Sequence, residues 1–120
     1  MRREKIIDCT ETDTYAGIGV YSIENCNNGK IYIGSSKNIK SRVRQHECLF
    51  YYRHCNNRIL LDINKGHTFK SHILYKFSPP CKESELRLKE REIIHKLDSF
   101  INGYNINPDT KYIKQIERVF

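Results

Sequence analysis

The chain has no run of apolar residues that approaches the roughly 18 needed to span a membrane. Its first residues, MRREKIIDCTETDTYAG, lack the apolar stretch of a secretory signal. It has no CxxC pair, and its five cysteines are scattered and odd in number, which disfavours a disulfide framework. We therefore expect an intracellular chain, cytoplasmic or at the nucleoid or nucleus and not secreted, with reduced thiols and no membrane partner.

Positive charge is in excess, because 21 Lys and Arg against 14 Asp and Glu give a net charge of +7 in 120 residues. Such a surface favours a polyanionic partner, and nucleic acid is the leading candidate. The alternative is a basic surface that serves only solubility. An anionic membrane is disfavoured, since the basic residues do not gather in one amphipathic helix.

Four residues of the types that bind zinc lie close together in sequence, namely His46, Cys48, His54 and Cys55. Their spacing matches no common zinc finger. A zinc-stabilised interaction domain is therefore an alternative that the spacing disfavours.

Residues 17–24 and 30–35 are rich in Ile, Val and Tyr and flank an Asn-Gly pair, which predicts a β-hairpin. If the loop has two residues, Asn27 pairs with Lys30. Counting outward then places Tyr21 and Tyr32 on one face of the hairpin.

Three helices and one more strand are predicted after the hairpin. Periodicity indicates helices near 39–50, 57–65 and 84–99, a strand over TFKSHILYKF, and a short amphipathic helical tail at 108–120. The polar residues 1–16 predict an arm with at most a short strand, which leaves one domain over 17–107. The order β β α α β α predicts an α/β (α+β) fold, with a small three-stranded, mostly antiparallel sheet flanked by helices.

Polar side chains fall on helix faces that should be apolar. Arg42 borders the inward stripe of the first helix, and Glu90 lies inside that of the third. Burying an unpaired arginine or glutamate is costly, so each should meet the other, an ion or a ligand. A structural salt bridge and a hydrogen-bonded core histidine are the alternatives. The stripes are Ile39, Val43, His46 and Phe50 in the first helix and Leu86, Ile93 and Leu97 in the third.

Taken together, an arginine, an acid, a histidine and two phenols are the groups that phosphodiester hydrolysis requires. Arginine binds a phosphate, a carboxylate holds Mg²⁺, and a phenol or imidazole takes a proton from water. We interpret Gly19 and Gly34 as keeping the hairpin face shallow, so that a phosphate reaches the phenols. The alternative is that they only permit twist or a bulge of the strands.

Five motifs, in this order, resemble those of the GIY-YIG nucleases, which include phage homing endonucleases, certain restriction enzymes and the incision domain of bacterial excision repair. They are GVY (19–21), YIG (32–34), GSSKNIKSRVRQH (34–46), EREIIHKL (90–97) and INGYN (101–105). Val20 replaces isoleucine in the first motif, and Ile93 stands where many relatives have tryptophan. Neither departure removes a proposed catalytic group.

The resemblance implies a divalent-metal-dependent endonuclease that hydrolyses DNA phosphodiester bonds, with one Mg²⁺ (or Mn²⁺) on Glu90. It implies that Tyr21 is the general base and that His46 assists it. Tyr32 would position the phosphate or water, and Arg42 would contact the scissile phosphate.

The resemblance also implies a supporting role for Asn105. His54 matches a further histidine of the homing-enzyme branch. We expect nucleic-acid contacts from Gly34, Ser35, Lys37, Lys40, Arg44 and His54.

Sequence specificity is expected to be low, or to come from a targeting partner, because only a short tail follows the predicted domain. One active site cuts one strand, so double-strand cleavage would need sequential nicking or a homodimer. The alternative function is a non-catalytic nucleic-acid binding module on the same scaffold.

Overall fold

The computed structural model describes residues 5–97 and 103–105, and the tail predicted at 108–120 lies outside them. The described residues form a mixed sheet of four strands in the order β1-β4-β2-β3, in which β1 is parallel to β4 and the other pairs are antiparallel. The strands are β1 (Ile7–Asp8), β2 (Ile18–Asn25), β3 (Ile31–Ser36) and β4 (Phe69–Phe77), and the helices are α1 (Ile39–Tyr51), α2 (Asn57–Asn64) and α3 (Glu83–Leu97). These strands and helices confirm the predicted α+β fold class. None of these helices is long and apolar enough to cross a membrane.

The sheet has one strand more than predicted, and that strand comes from the polar N-terminal segment. In β1, Ile7 pairs with Phe69, and the Ile7 side chain is fully buried. Thr12 follows in a short 3₁₀ turn and is also buried. The prediction for this segment was at most a short strand, and it was not counted in the sheet because two residues are too few to show alternation.

The β2–β3 hairpin has a longer loop than predicted. The backbone N–H of Asn25 donates to the Lys30 carbonyl over 2.8 Å, which leaves residues 26–29 as the loop. The Asn25 carboxamide oxygen organises it by accepting from the backbone N–H of Asn27 over 2.7 Å. The two extra loop residues come from β2, so the register shifts by two residues. Tyr21 and Tyr32 therefore remain on one face, with Tyr21 opposite Gly34.

Helices α1 and α2 cover that face. Asn38 caps α1 by accepting from the backbone N–H of Ser41, and Asn56 caps α2 by accepting from that of Ile59. The predicted stripe of α1 is buried throughout and packs with Tyr21, Ile23 and Phe69 of the sheet. These contacts fix α1 above the tyrosines.

Helix α3 covers the opposite face, where Leu86 and Ile94 pack against Val20 and Ile33. Leu97, which was predicted to be buried, is 45% exposed. Its helical phase matches that of Leu86, and phase alone does not decide burial.

Candidate active site

Tyr21 lies flat over Gly34, and this contact explains why residue 34 is a glycine. A Cβ at position 34 would lie 2.4 Å from the Tyr21 hydroxyl oxygen and 2.5 Å from Cζ. A Cβ on Gly19 would lie 2.1 Å from the carbonyl oxygen of Tyr75. The interpretation that these glycines leave room for a phosphate is therefore wrong, because side chain and backbone of the chain itself fill the space.

The hydroxyl of Tyr21 meets the ring of His46 at the centre of the site. The Tyr21 oxygen and His46 Nε2 are 2.7 Å apart, and both residues are buried. Burial lowers the pKa of His46 to about 4, and the positive charge of Arg42 acts in the same direction. At neutral pH His46 is therefore uncharged, and in the tautomer that carries its proton on Nδ1 the Nε2 atom accepts the Tyr21 proton.

Tyr32 is half-buried beside this pair, and its ring meets that of His46 edge to face at 5.3 Å between centroids. Burial raises the pKa of both phenols. Arg42 opposes part of that rise, which shows that its guanidinium lies close to both rings. Arg42 Nη1 also donates to Gln45 Oε1, one turn further along α1.

Glu90 reaches the same region from the other face of the sheet, around the edge strand β3. Ser35 Oγ donates to Glu90 Oε2 over 3.0 Å, and the Glu90 charge contributes to the raised pKa of Tyr32. Ser35 points toward α3 because side chains alternate along β3, and Gly34 faces α1. Sequence analysis missed this positioning role of Ser35, because the alternation along β3 does not show which helix covers that face.

Asn105 holds the free edge of β3. Its side-chain oxygen accepts from the backbone N–H of Ile33, and its Nδ2 donates to the Ile33 carbonyl, both at 2.8 Å. The carboxamide thus replaces a neighbouring strand. Asn105 contacts the strand that carries Tyr32, which is consistent with a supporting role.

The single carboxylate of Glu90 fits a Mg²⁺ that substrate and water also help to hold. Such an ion is usually bound by one or two carboxylates, several waters and substrate phosphates. Glu90 is a half-buried carboxylate near both phenols and could supply the protein oxygen. Within residues 5–97 and 103–105, no three His, Cys, Asp or Glu side chains come together as metal ligands. The site therefore does not fit a preformed multi-ligand metal centre.

The residues predicted to contact nucleic acid lie in different surroundings. Gly34 is buried beneath Tyr21, whereas Lys37 is exposed and Lys40 half-buried near the start of α1. Arg44 points away from the site, since its Nε and Nη2 donate to the Asp13 carboxylate over 2.9 and 3.0 Å. Lys40 lies one turn before Arg44 and therefore on the same side of α1.

A pocket of about 200 Å³ adjoins the site, with Tyr32 and His46 in its wall. His54, in the turn between α1 and α2, lines it too, which brings this predicted residue near the two catalytic candidates. Cys55, which sequence analysis considered only as a zinc ligand, lines the same pocket.

Comparisons with known proteins agree with this geometry. The GIY-YIG catalytic domain profile matches residues 17–105. Intron-associated endonuclease 1 of Enterobacteria phage T4 is 34% identical over 90 residues, which cover 73% of this chain and 36% of that protein. The chain thus spans about a third of the length of this relative.

Two solved structures of the catalytic domain of homing endonuclease I-TevI also match. The first is 32% identical with a TM-score of 0.68, and the match covers 75% of this chain and 98% of that domain. The second, a mutant, is 33% identical with a TM-score of 0.66, and the match covers 75% and 93%. The chain therefore belongs to the family of GIY-YIG catalytic domains.

Proposed function

We propose that the protein is an endonuclease that hydrolyses DNA phosphodiester bonds with the help of Mg²⁺ or Mn²⁺. The observation that carries the proposal is the 2.7 Å contact between Tyr21 and an uncharged His46, beside Arg42, in a GIY-YIG catalytic domain. Two relatives with this domain are named as endonucleases, one of them a homing endonuclease.

The Tyr21–His46 pair would carry the proton of the attacking water. A phenol whose pKa is raised by burial is a poor base alone. It becomes effective if it passes its own proton to His46 Nε2 while it accepts one from water. This order makes Tyr21 the group that contacts water and His46 the final acceptor within the protein.

Arg42 would bind the scissile phosphate, and Tyr32 would position it. A guanidinium binds phosphate oxygens in a bidentate manner and stabilises the charge that develops on them during displacement. The bond from Arg42 to Gln45 limits the freedom of the side chain before substrate arrives. Tyr32 is the more exposed phenol and thus the one that a phosphate meets first.

Glu90 would hold the divalent cation, and Ser35 would orient its carboxylate. When bound, the cation would lower the pKa of water and neutralise charge on the phosphate.

Low sequence specificity also belongs to the proposal, because lysine contacts to phosphates carry no information on the base sequence. A partner protein or a second copy would then supply targeting.

Supercoiled plasmid incubated with the purified chain tests the proposal. We expect nicking with Mg²⁺ or Mn²⁺ and none with EDTA. Arg42→Ala should lose at least about a hundredfold in rate, the scale of one lost transition-state donor. Arg87→Ala is the matched control, since Arg87 is exposed on α3 and bonded to Glu83. Salt-sensitive DNA binding without nicking would instead indicate a binding module.

A further inference from the structure

The pocket beside Tyr32 and His46 has a lining unlike that of the proposed phosphate site. Its walls include Phe50, Leu49 and Ile59, and none of the described residues that line it is Asp, Glu, Lys or Arg. The amide of Asn56 is already used, because its oxygen accepts from the backbone N–H of Ile59 and its nitrogen donates to the Tyr104 carbonyl. Such a lining disfavours a phosphate, which needs charged partners. A metal ion is disfavoured because, among the described residues, no three His, Cys, Asp or Glu side chains come together as ligands.

The size of the pocket also limits which ligand it can bind. At about 200 Å³ it is smaller than the roughly 300–1,000 Å³ of sites that enclose drug-sized ligands. One ring system fits, and an oligonucleotide segment does not. Because Tyr32 and His46 belong both to this pocket and to the proposed phosphate site, the occupant must lie next to the phosphate. In a nucleic acid, the aromatic group next to every phosphate is a base.

We infer that this pocket binds the base of an unpaired nucleotide adjacent to the scissile phosphate. The inference rests on the proposed function and names its preferred substrate, DNA with a bulged or mismatched nucleotide at the cleavage point. A base in a matched duplex must first leave its stack, and this cost is smallest for an unpaired base. A base held on aromatic side chains gains about fivefold to 150-fold in affinity.

Thiol labelling tests occupancy without relying on cleavage. Cys55 lines the pocket, and Cys48, seven residues earlier on α1, is exposed and outside it. The Glu90→Gln variant is saturated with a bulged or a matched duplex, as judged by fluorescence anisotropy. It is then treated with a maleimide and analysed by mass spectrometry. The bulged duplex should slow labelling of Cys55 at least about fivefold more than the matched duplex does, with Cys48 unchanged. Equal protection of Cys55 by both duplexes would overturn the inference.

Cleavage rates give the second test, with a matched pair of variants. Wild type and Cys48→Phe should cut the bulged duplex about fivefold to 150-fold faster than the matched one. Cys55→Phe places a ring in the pocket, so this ratio should fall to near one. An unchanged ratio in a folded Cys55→Phe protein would contradict the inference. If wild type cuts neither duplex, the proposed function fails, and the labelling result still decides whether the pocket holds a base.

Discussion

Replacing Tyr21 by phenylalanine keeps the ring over Gly34 and removes only the hydroxyl that meets His46 Nε2 at 2.7 Å. The buried imidazole nitrogen then lacks its partner, which costs about 1–3 kcal/mol in the free energy of unfolding. A domain with a stability of about 5–15 kcal/mol stays at least about 95% folded after this loss. If the hydroxyl also relays the proton, the cleavage rate should fall about 10²- to 10⁴-fold. Unfolding cannot account for such a decrease.

Tyr104→Phe is the matched control for this experiment. Tyr104 is as buried a residue as Tyr21. Its hydroxyl donates to Asp62 and accepts from Asn25 over 2.8 Å, and it lies outside the site. Urea unfolding should show a comparable loss of stability for both variants, while plasmid nicking should decrease only for Tyr21→Phe. Full nicking activity of a folded Tyr21→Phe protein would refute the assignment of Tyr21 to the proton route.

Three more predictions concern stability. The folded-state pKa of His46, about 4, lies below the ordinary 6.5, so the unfolded chain binds this proton first. Its contribution is complete above pH 6.5 and decreases by about 3 kcal/mol as the pH falls to 4. Urea titrations at several pH values should show that the free energy of unfolding decreases with falling pH in wild type and decreases less in His46→Gln. An equal pH dependence in both proteins would exclude this contribution of His46. Gly34→Ala forces Cβ into Tyr21 and should cost about 1–3 kcal/mol together with most of the nicking activity, and an unaltered midpoint would contradict that contact. Arg53 has φ 64°, so Arg53→Gly should be more stable than Arg53→Ala by about 1 kcal/mol in thermal unfolding, whereas equal stability would indicate that the turn relaxes.

The local rules of helices and hairpins were sufficient to predict much of the site. The 3.6-residue period of α1 correctly placed Val43, His46 and Phe50 inward, and the two-residue period of the hairpin placed both tyrosines on one face. Both results depend on the direction in which side chains point within one element. An error in the predicted loop length leaves that direction unchanged when the error is an even number of residues. The motif resemblance identified the family because five motifs occur in the family's order between residues 19 and 105.

Tertiary contacts account for what the sequence did not predict. Gly34 is needed by a ring that lies opposite it across the hairpin, and this depends on the register that Asn25 imposes. The carboxylate of Glu90 comes from the far face of the sheet, where Ser35 meets it. The periodicity of a single helix or strand does not show which edge of the sheet another helix packs against. The contact between α3 and β3 could therefore not be predicted.

We propose that a divalent cation bound at Glu90 enables DNA cleavage by this chain. The most direct measurement compares the rate of plasmid nicking by wild type, Glu90→Gln and Glu92→Gln over a range of Mg²⁺ concentrations. Glu92 is exposed on the same helix and paired with Lys89, which makes it a close control. We predict Mg²⁺-dependent nicking by wild type and Glu92→Gln, and a loss of at least about a hundredfold in Glu90→Gln. Equal nicking by all three folded proteins would contradict the claim.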